Sequence, residues 1–122
     1  MSRPVGPYSP VLRAGDWVVT SGQIGLAPGP DGAPALVEGG TMAELRQALA
    51  NLAEVLGLEG ATLGQVVKTT VFLLDMDDFA AVNAVWTEVF GDHRPTRSAV
   101  AVAALPLGAR VEVEAWAHAP AG

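Results

Sequence analysis

The stretch Val66-Val67-Lys68-Thr69-Thr70-Val71-Phe72-Leu73-Leu74 is rich in β-branched residues and carries a single charge. It predicts a central strand covered on at least one face. Asp75, Asp77 and Asp78 follow, where the positive end of a helix dipole would welcome negative charge. Phe79, Val82, Trp86, Val89 and Phe90 then lie on one stripe at helical spacing until Gly91. Upstream, Thr41 and Glu44 have the spacing of a capping box, and Met42, Leu45, Leu49, Leu52, Val55 and Leu56 recur at helical spacing before Gly57 supplies a stop. The other face of that helix carries Glu44, Arg46, Asn51 and Glu54. Residues 16–23 read as a strand ending at Gly22, followed by a Pro- and Gly-rich loop or a hairpin returning through Ala35-Leu36-Val37. Downstream, residues 98–105 and 110–118 read as two strands separated by Pro106-Leu107-Gly108-Ala109. The order β, β, α, β, α, β, β has hairpin-like ends. It fits an α+β fold, a single mixed, mostly antiparallel sheet with two helices on one face, better than a doubly wound parallel sheet.

With 122 residues the chain has the size of one domain, expected to run over 1–122. Half of it is apolar, and 14 further residues are Gly. No apolar run reaches the roughly 18 residues of a membrane span. The first residues, Met1 to Pro7, hold no apolar segment of secretory-signal length, and there are no cysteines, so a cytoplasmic location is expected. Two helices on one sheet face leave the other bare, and the apolar excess argues that a homo-oligomer covers it. Seven basic residues against 13 acidic ones give a net charge of -6. Six of the bases are scattered arginines, which disfavours a phosphate-tracking groove and hence nucleic acid as a partner. His93 and His118 show no chelating spacing, so no metal site is expected. Pro28-Gly29-Pro30-Asp31-Gly32 reads as turns and lacks the Lys-Ser/Thr of a phosphate cradle.

Chemistry concentrates in a few places. Arg97, within Arg94-Pro95-Thr96-Arg97-Ser98, enters an apolar run and must either pair with an acid, for instance across subunits, or face a ligand. Its planar fork of donors matches a carboxylate, so an α-keto or α-imino acid is a natural ligand. In the last strand, period-two alternation sets Arg110, Glu112, Glu114, Trp116 and His118 on one side and Val111, Val113, Ala115 and Ala117 on the other. Glu112 and Glu114 either supply general acid or base chemistry or form an exposed polar face. A tight hairpin about Leu107 would hold Arg97 and Glu112 roughly 17 Å apart at 3.3 Å per residue. A shared site would then have to come from non-neighbouring strands or cross a subunit boundary. Tyr8, in Gly6-Pro7-Tyr8-Ser9-Pro10, reads as a lid on the sheet. Ser21-Gly22-Gln23 either offers backbone N–H groups to an anion or is a bulge at a strand end. No spacing singles out either histidine for Ser-His-Asp catalysis.

Taken together, Gly6-Pro7-Tyr8-Ser9, Thr20-Ser21-Gly22-Gln23-Ile24, residues 67–73, residues 75–83, Pro95-Thr96-Arg97-Ser98 and residues 111–115 resemble the RidA (YjgF) family of reactive-intermediate imine deaminases, over nearly the whole chain. The resemblance implies a chorismate-mutase-like fold that assembles as a homotrimer with a central barrel and a cleft at each subunit interface. It implies Arg97 as the substrate-carboxylate arginine, Glu112 as the acid that positions or activates water, and Tyr8, Ser21, Gly22 and Asn83 as further substrate-binding positions. The implied activity is that of a 2-iminobutanoate/2-iminopropanoate deaminase, hydrolysing 2-aminoacrylate or 2-iminobutyrate to the 2-oxo acid and ammonia without metal or organic cofactor. Rival readings are a non-catalytic protein that binds 2-oxo acids and a ribonuclease or translation inhibitor, the latter opposed by the acidity and the single lysine. Ala99 stands where the family often has Cys, so thiol chemistry is not essential here, and Pro10 stands where it often has Gln.

Overall fold

A computed structural model describes residues 6–121; Met1 to Val5 and Gly122, the ends of the expected 1–122 domain, lie outside the described residues. The stretch from Val66 to Leu73 forms β5 and leads through a single 3-10 turn, Met76–Asp78, into helix α2, Phe79–Phe90. Asp75 caps that turn by accepting the Asp77 N–H. The chain then returns as β6, Thr96–Ala101, parallel to β5. A parallel neighbour requires a crossover of a dozen or more residues, and α2 supplies it. The last strand, β7 (Val111–His118), pairs antiparallel with the other edge of β5.

The tight hairpin considered for the last two strands is therefore not formed: β5 lies between them. Segment 102–110 steps over the end of β5, where Leu73 O accepts from Val102 N and Leu74 N donates to Arg110 O. The turn that reads as a hairpin in the sequence is a 3-10 turn with Leu107 at φ 57°.

Strands β1 (Val11–Ala14) and β2 (Trp17–Thr20) complete a sheet of order β1-β2-β7-β5-β6, in which only β5 and β6 are parallel. Strand β1 escapes the sequence reading because it is only four residues long. The two-residue link Gly15-Asp16, with Gly15 at φ 60°, makes it a hairpin arm. The second hairpin is also self-contained: β3 (Leu26–Pro28) pairs with β4 (Pro34–Leu36) as a separate two-stranded sheet.

Helix α1 spans Gly40–Leu58 and differs from expectation at both ends. No capping box forms. Gly39 and Gly40, both at positive φ, turn the chain into the helix, Thr41 Oγ1 donates to Asp78 Oδ2 at 2.6 Å, and Glu44 Oε1 accepts the Arg110 N–H at 2.9 Å. Gly57 lies inside the helix, and the left-handed turn comes at Gly60 (φ 78°). Glu44 and Asn51, expected on the solvent side, are buried. The 24–26 segment covers that side, and Asn51 Nδ2 donates to Ile24 O and Leu26 O, satisfying the buried amide.

Both helices pack on one face of the five-stranded sheet. Leu45, Leu49, Leu52, Val55 and Leu56 of α1 and Val82, Val85, Trp86 and Phe90 of α2 close over Val18, Val71, Leu73, Val111, Val113, Ala115 and Ala117. The opposite face exposes Leu12, Trp17, Val100 and Trp116, with Trp17 edge-to-face against Trp116 and His118.

Candidate functional site

Arg97 and Glu112 stand on opposite faces of one sheet. In the parallel β5/β6 register Arg97 is level with Thr69, which is fully buried under the helices. In the antiparallel β5/β7 register Glu112 is level with Phe72, whose side chain faces the other way by the period-two rule. Three residues along β5 and two strand spacings separate them, roughly 10 Å in each direction. The chain therefore carries two groups of residues rather than one closed site.

The first group is built on α2 and the start of β6. Arg97 Nη2 donates to Asn83 Oδ1 at 2.8 Å, and the guanidinium carbon lies 5.2 Å from the ring centroid of Phe79 and 5.1 Å from that of Trp86. Phe79, Asn83 and Trp86 reach it together because spacings of four and three put them on one side of a helix. No carboxylate among the described residues pairs with Arg97. A half-buried cation held by one neutral amide and two ring faces keeps four N–H donors for an anion. Asn83, Trp86, Thr87, Arg94, Pro95 and Arg97 line an adjoining cavity of about 340 Å³.

The second group gathers where β2 ends beside β7. Ser21 Oγ donates to Ser9 O at 2.6 Å and Ser21 N to Pro10 O at 2.9 Å, which ties the segment that follows Tyr8 to the end of β2. Tyr8 itself is 46% exposed, with its ring over Gly6. Gln23 and Val113 exchange both backbone bonds, so of the three amides at 21–23 only that of Gly22 lacks a protein acceptor among the described residues. The backbone anion nest considered from the sequence reduces to that one N–H. Gly22 lies so close to Glu112 that a Cβ there would stand 2.5 Å from Oε2 and 2.9 Å from Cγ of that side chain. Burial raises the Glu112 carboxyl above the ordinary carboxylate range, and the neighbouring Glu114 raises it further.

The structure thus brings Asn83 to Arg97 and Gly22 to Glu112, with Ser21 bonded to the Ser9-Pro10 segment that follows Tyr8, without joining Arg97 and Glu112 within one chain. The sequence reading missed Phe79 and Trp86 as partners of Arg97, because an aromatic stripe at helical spacing reads first as core. Among the described residues no cluster of His, Asp or Glu could hold a metal ion, and no helix is long and apolar enough to cross a membrane.

Residues 1–119 match the protein family described as Endoribonuclease L-PSP. The 2-iminobutanoate/2-iminopropanoate deaminase of Mus musculus is 46% identical over 113 residues, which cover 93% of this chain and 82% of the mouse protein. RidA from the Antarctic bacterium Psychrobacter superposes with a TM-score of 0.88 at 37% identity, covering 95% of this chain and 91% of that one. E. coli TdcF with bound serine superposes with a TM-score of 0.84 at 36% identity, covering 94% and 90%.

Proposed function

The chain belongs to the endoribonuclease L-PSP family, also known as RidA or YjgF, and from that membership and the geometry of Arg97 we propose that it is a hydrolytic deaminase of small 2-imino acids. The substrates are 2-aminoacrylate and 2-iminobutyrate or their close relatives, and the products are the 2-oxo acid and ammonia. The carrying observation is the half-buried guanidinium without an acidic partner among the described residues, a receptor for the carboxylate that every 2-imino acid bears.

The reaction asks little of a protein beyond placement. An iminium carbon already accepts water, so holding the carboxylate on Arg97 and a water at C2 converts a bimolecular step into one within a complex. 2-Aminoacrylate first becomes its imine by taking a proton at C3; Glu112 then takes a proton from the water as its oxygen bonds to C2, passes that proton to nitrogen, and accepts the remaining hydroxyl proton as the C–N bond breaks, so that the 2-oxo group forms and ammonia leaves to be protonated. A carboxyl raised by burial and by Glu114 suits both halves of this transfer better than an ordinary one. The Gly22 N–H, without an acceptor among the described residues, steadies the developing charge, and Gly22 lets substrate and Glu112 approach closely. No metal or organic cofactor has a part in this scheme.

Because Arg97 and Glu112 occupy opposite faces of one sheet, the proposal has one copy supply Arg97 and Asn83 and another supply Tyr8, Ser21, Gly22 and Glu112. A homotrimer with a cleft at each interface, formed by the whole chain as one domain, satisfies this and covers the exposed Leu12, Trp17, Val100 and Trp116. The family description refers to an endoribonuclease, but a net charge of -6 with scattered arginines opposes phosphate tracking. The cytoplasmic location expected of a cysteine-free chain is kept as part of the reading. The test generates 2-aminoacrylate or 2-iminobutyrate in situ and follows 2-oxo acid and ammonia with and without the protein. Acceleration that disappears in Arg97→Ala supports the assignment. Binding of 2-oxo acids without acceleration contradicts it and selects a sensor.

A further inference from the structure

Arg94 shares the cavity of Arg97. The two are three residues apart, at most about 11 Å between their Cα atoms. Neither has a carboxylate partner among the described residues, although the chain holds 13 acids against seven bases. Arg94 is exposed and Arg97 half-buried, and two cations on one cavity without an acid among the described residues make its field positive toward an anion. Arg94 is also held in place. Its Nη1 donates to the carbonyl oxygens of Gly91 and His93, at the carboxyl end of α2, where the helix dipole favours a cation. That leaves Nη2 and Nε for a ligand. The cavity, about 340 Å³, is at the small end of ligand pockets yet roomy for a three-carbon imino acid.

Resting on the deaminase reading above, we propose that Arg94 is a specificity residue for a second carboxylate, so that 2-imino dicarboxylic acids of four or five carbons are preferred substrates. Arg97 holds the carboxylate beside the imine carbon, and Arg94 holds the one at the far end of the side chain. Such a ligand offers one carboxylate to each guanidinium within the cavity that both side chains line.

The experiment compares imines generated in situ from glutamate and from 2-aminobutyrate, together with calorimetric binding of 2-oxoglutarate and 2-oxobutyrate. Wild-type protein is expected to favour the dicarboxylic member of each pair by tenfold or more. Arg94→Gln should lower that ratio about tenfold, Arg94→Lys should restore part of it, and Arg46→Gln, which removes the same charge from the outer face of α1, should leave it in place. A wild-type preference below twofold, or a ratio unmoved by Arg94→Gln, overturns the inference. If neither imine is hydrolysed faster but the binding ratio still follows residue 94, the deaminase reading fails, and with it the substrate preference, while the selection of a second carboxylate by Arg94 stands.

Discussion

The account rests first on a cation left without an acid. Arg97→Ala should cost more than about 100-fold in kcat/KM for 2-iminobutyrate with unchanged far-UV circular dichroism, since the proposed role of the residue is to hold the substrate carboxylate. Activity within a few-fold of wild type would remove the clamp from the mechanism. Gly22→Ala tests the other group. The added methyl meets Glu112 from Oε2 back to Cγ, so the whole side chain must swing away, and kcat should fall about tenfold or more with the fold retained. For Glu112 the sign follows from its raised carboxyl. The base must be ionised, so the acid limb of the kcat profile should lie above the ordinary glutamate value of about 4.3, and Glu114→Gln, which removes a like charge, should move the limb to lower pH. A folded-state value raised above the unfolded one means that the native protein binds the proton more tightly. Stability from this group is therefore present at acid pH and lost as pH rises through the raised value. Urea melts should show Glu112→Gln gaining on wild type between pH 4 and 8. At this scale the sequence marked Arg97 and Glu112 as candidates and the family resemblance added Asn83, but neither offered a sign that Phe79 and Trp86 face the guanidinium, because burial and ligand support draw on the same residues.

Elements were legible where periodicity was long and went astray where tertiary contacts replaced local ones. Strand β5, helix α2 and the alternation of β7 follow from patterns of eight or more residues. The capping box on α1 did not form because Asp78 and the Arg110 N–H, 37 and 66 residues away, hold Thr41 and Glu44 instead. Asn51 looked solvent-facing since nothing in its neighbourhood announces that the chain at 24–26 covers it. Asn51→Ala strips a donor from two buried carbonyls and should cost about 1–3 kcal/mol in urea unfolding. A loss below 0.5 kcal/mol, well under the roughly 1 kcal/mol usual for a single buried bond, would mean that water takes its place. Leu107 is the opposite case. It is 62% exposed and left-handed at φ 57°, so Leu107→Gly should stabilise the protein by about 1 kcal/mol, and destabilisation would show that the side chain is needed where it lies.

For the molecule as a whole, the apolar excess in the composition appears as a sheet face bearing Leu12, Trp17, Val100 and Trp116, and the separation of Arg97 from Glu112 gives that face a functional meaning. The sequence could not settle that separation, because it turns on β5 lying between the last two strands, a matter of a nine-residue connection stepping over a strand end. Sedimentation at micromolar concentration should give about three times the 12.5 kDa of one chain. The most direct test of a site shared between copies mixes Arg97→Ala and Glu112→Gln subunits, each inactive alone, under conditions of subunit exchange. If one copy supplies the clamp and another the base, random assembly restores both wild-type groups at about a quarter of the interfaces, and a 1:1 mixture should recover about a quarter of the wild-type rate. A mixture as inactive as its parents, with exchange verified, would contradict the account.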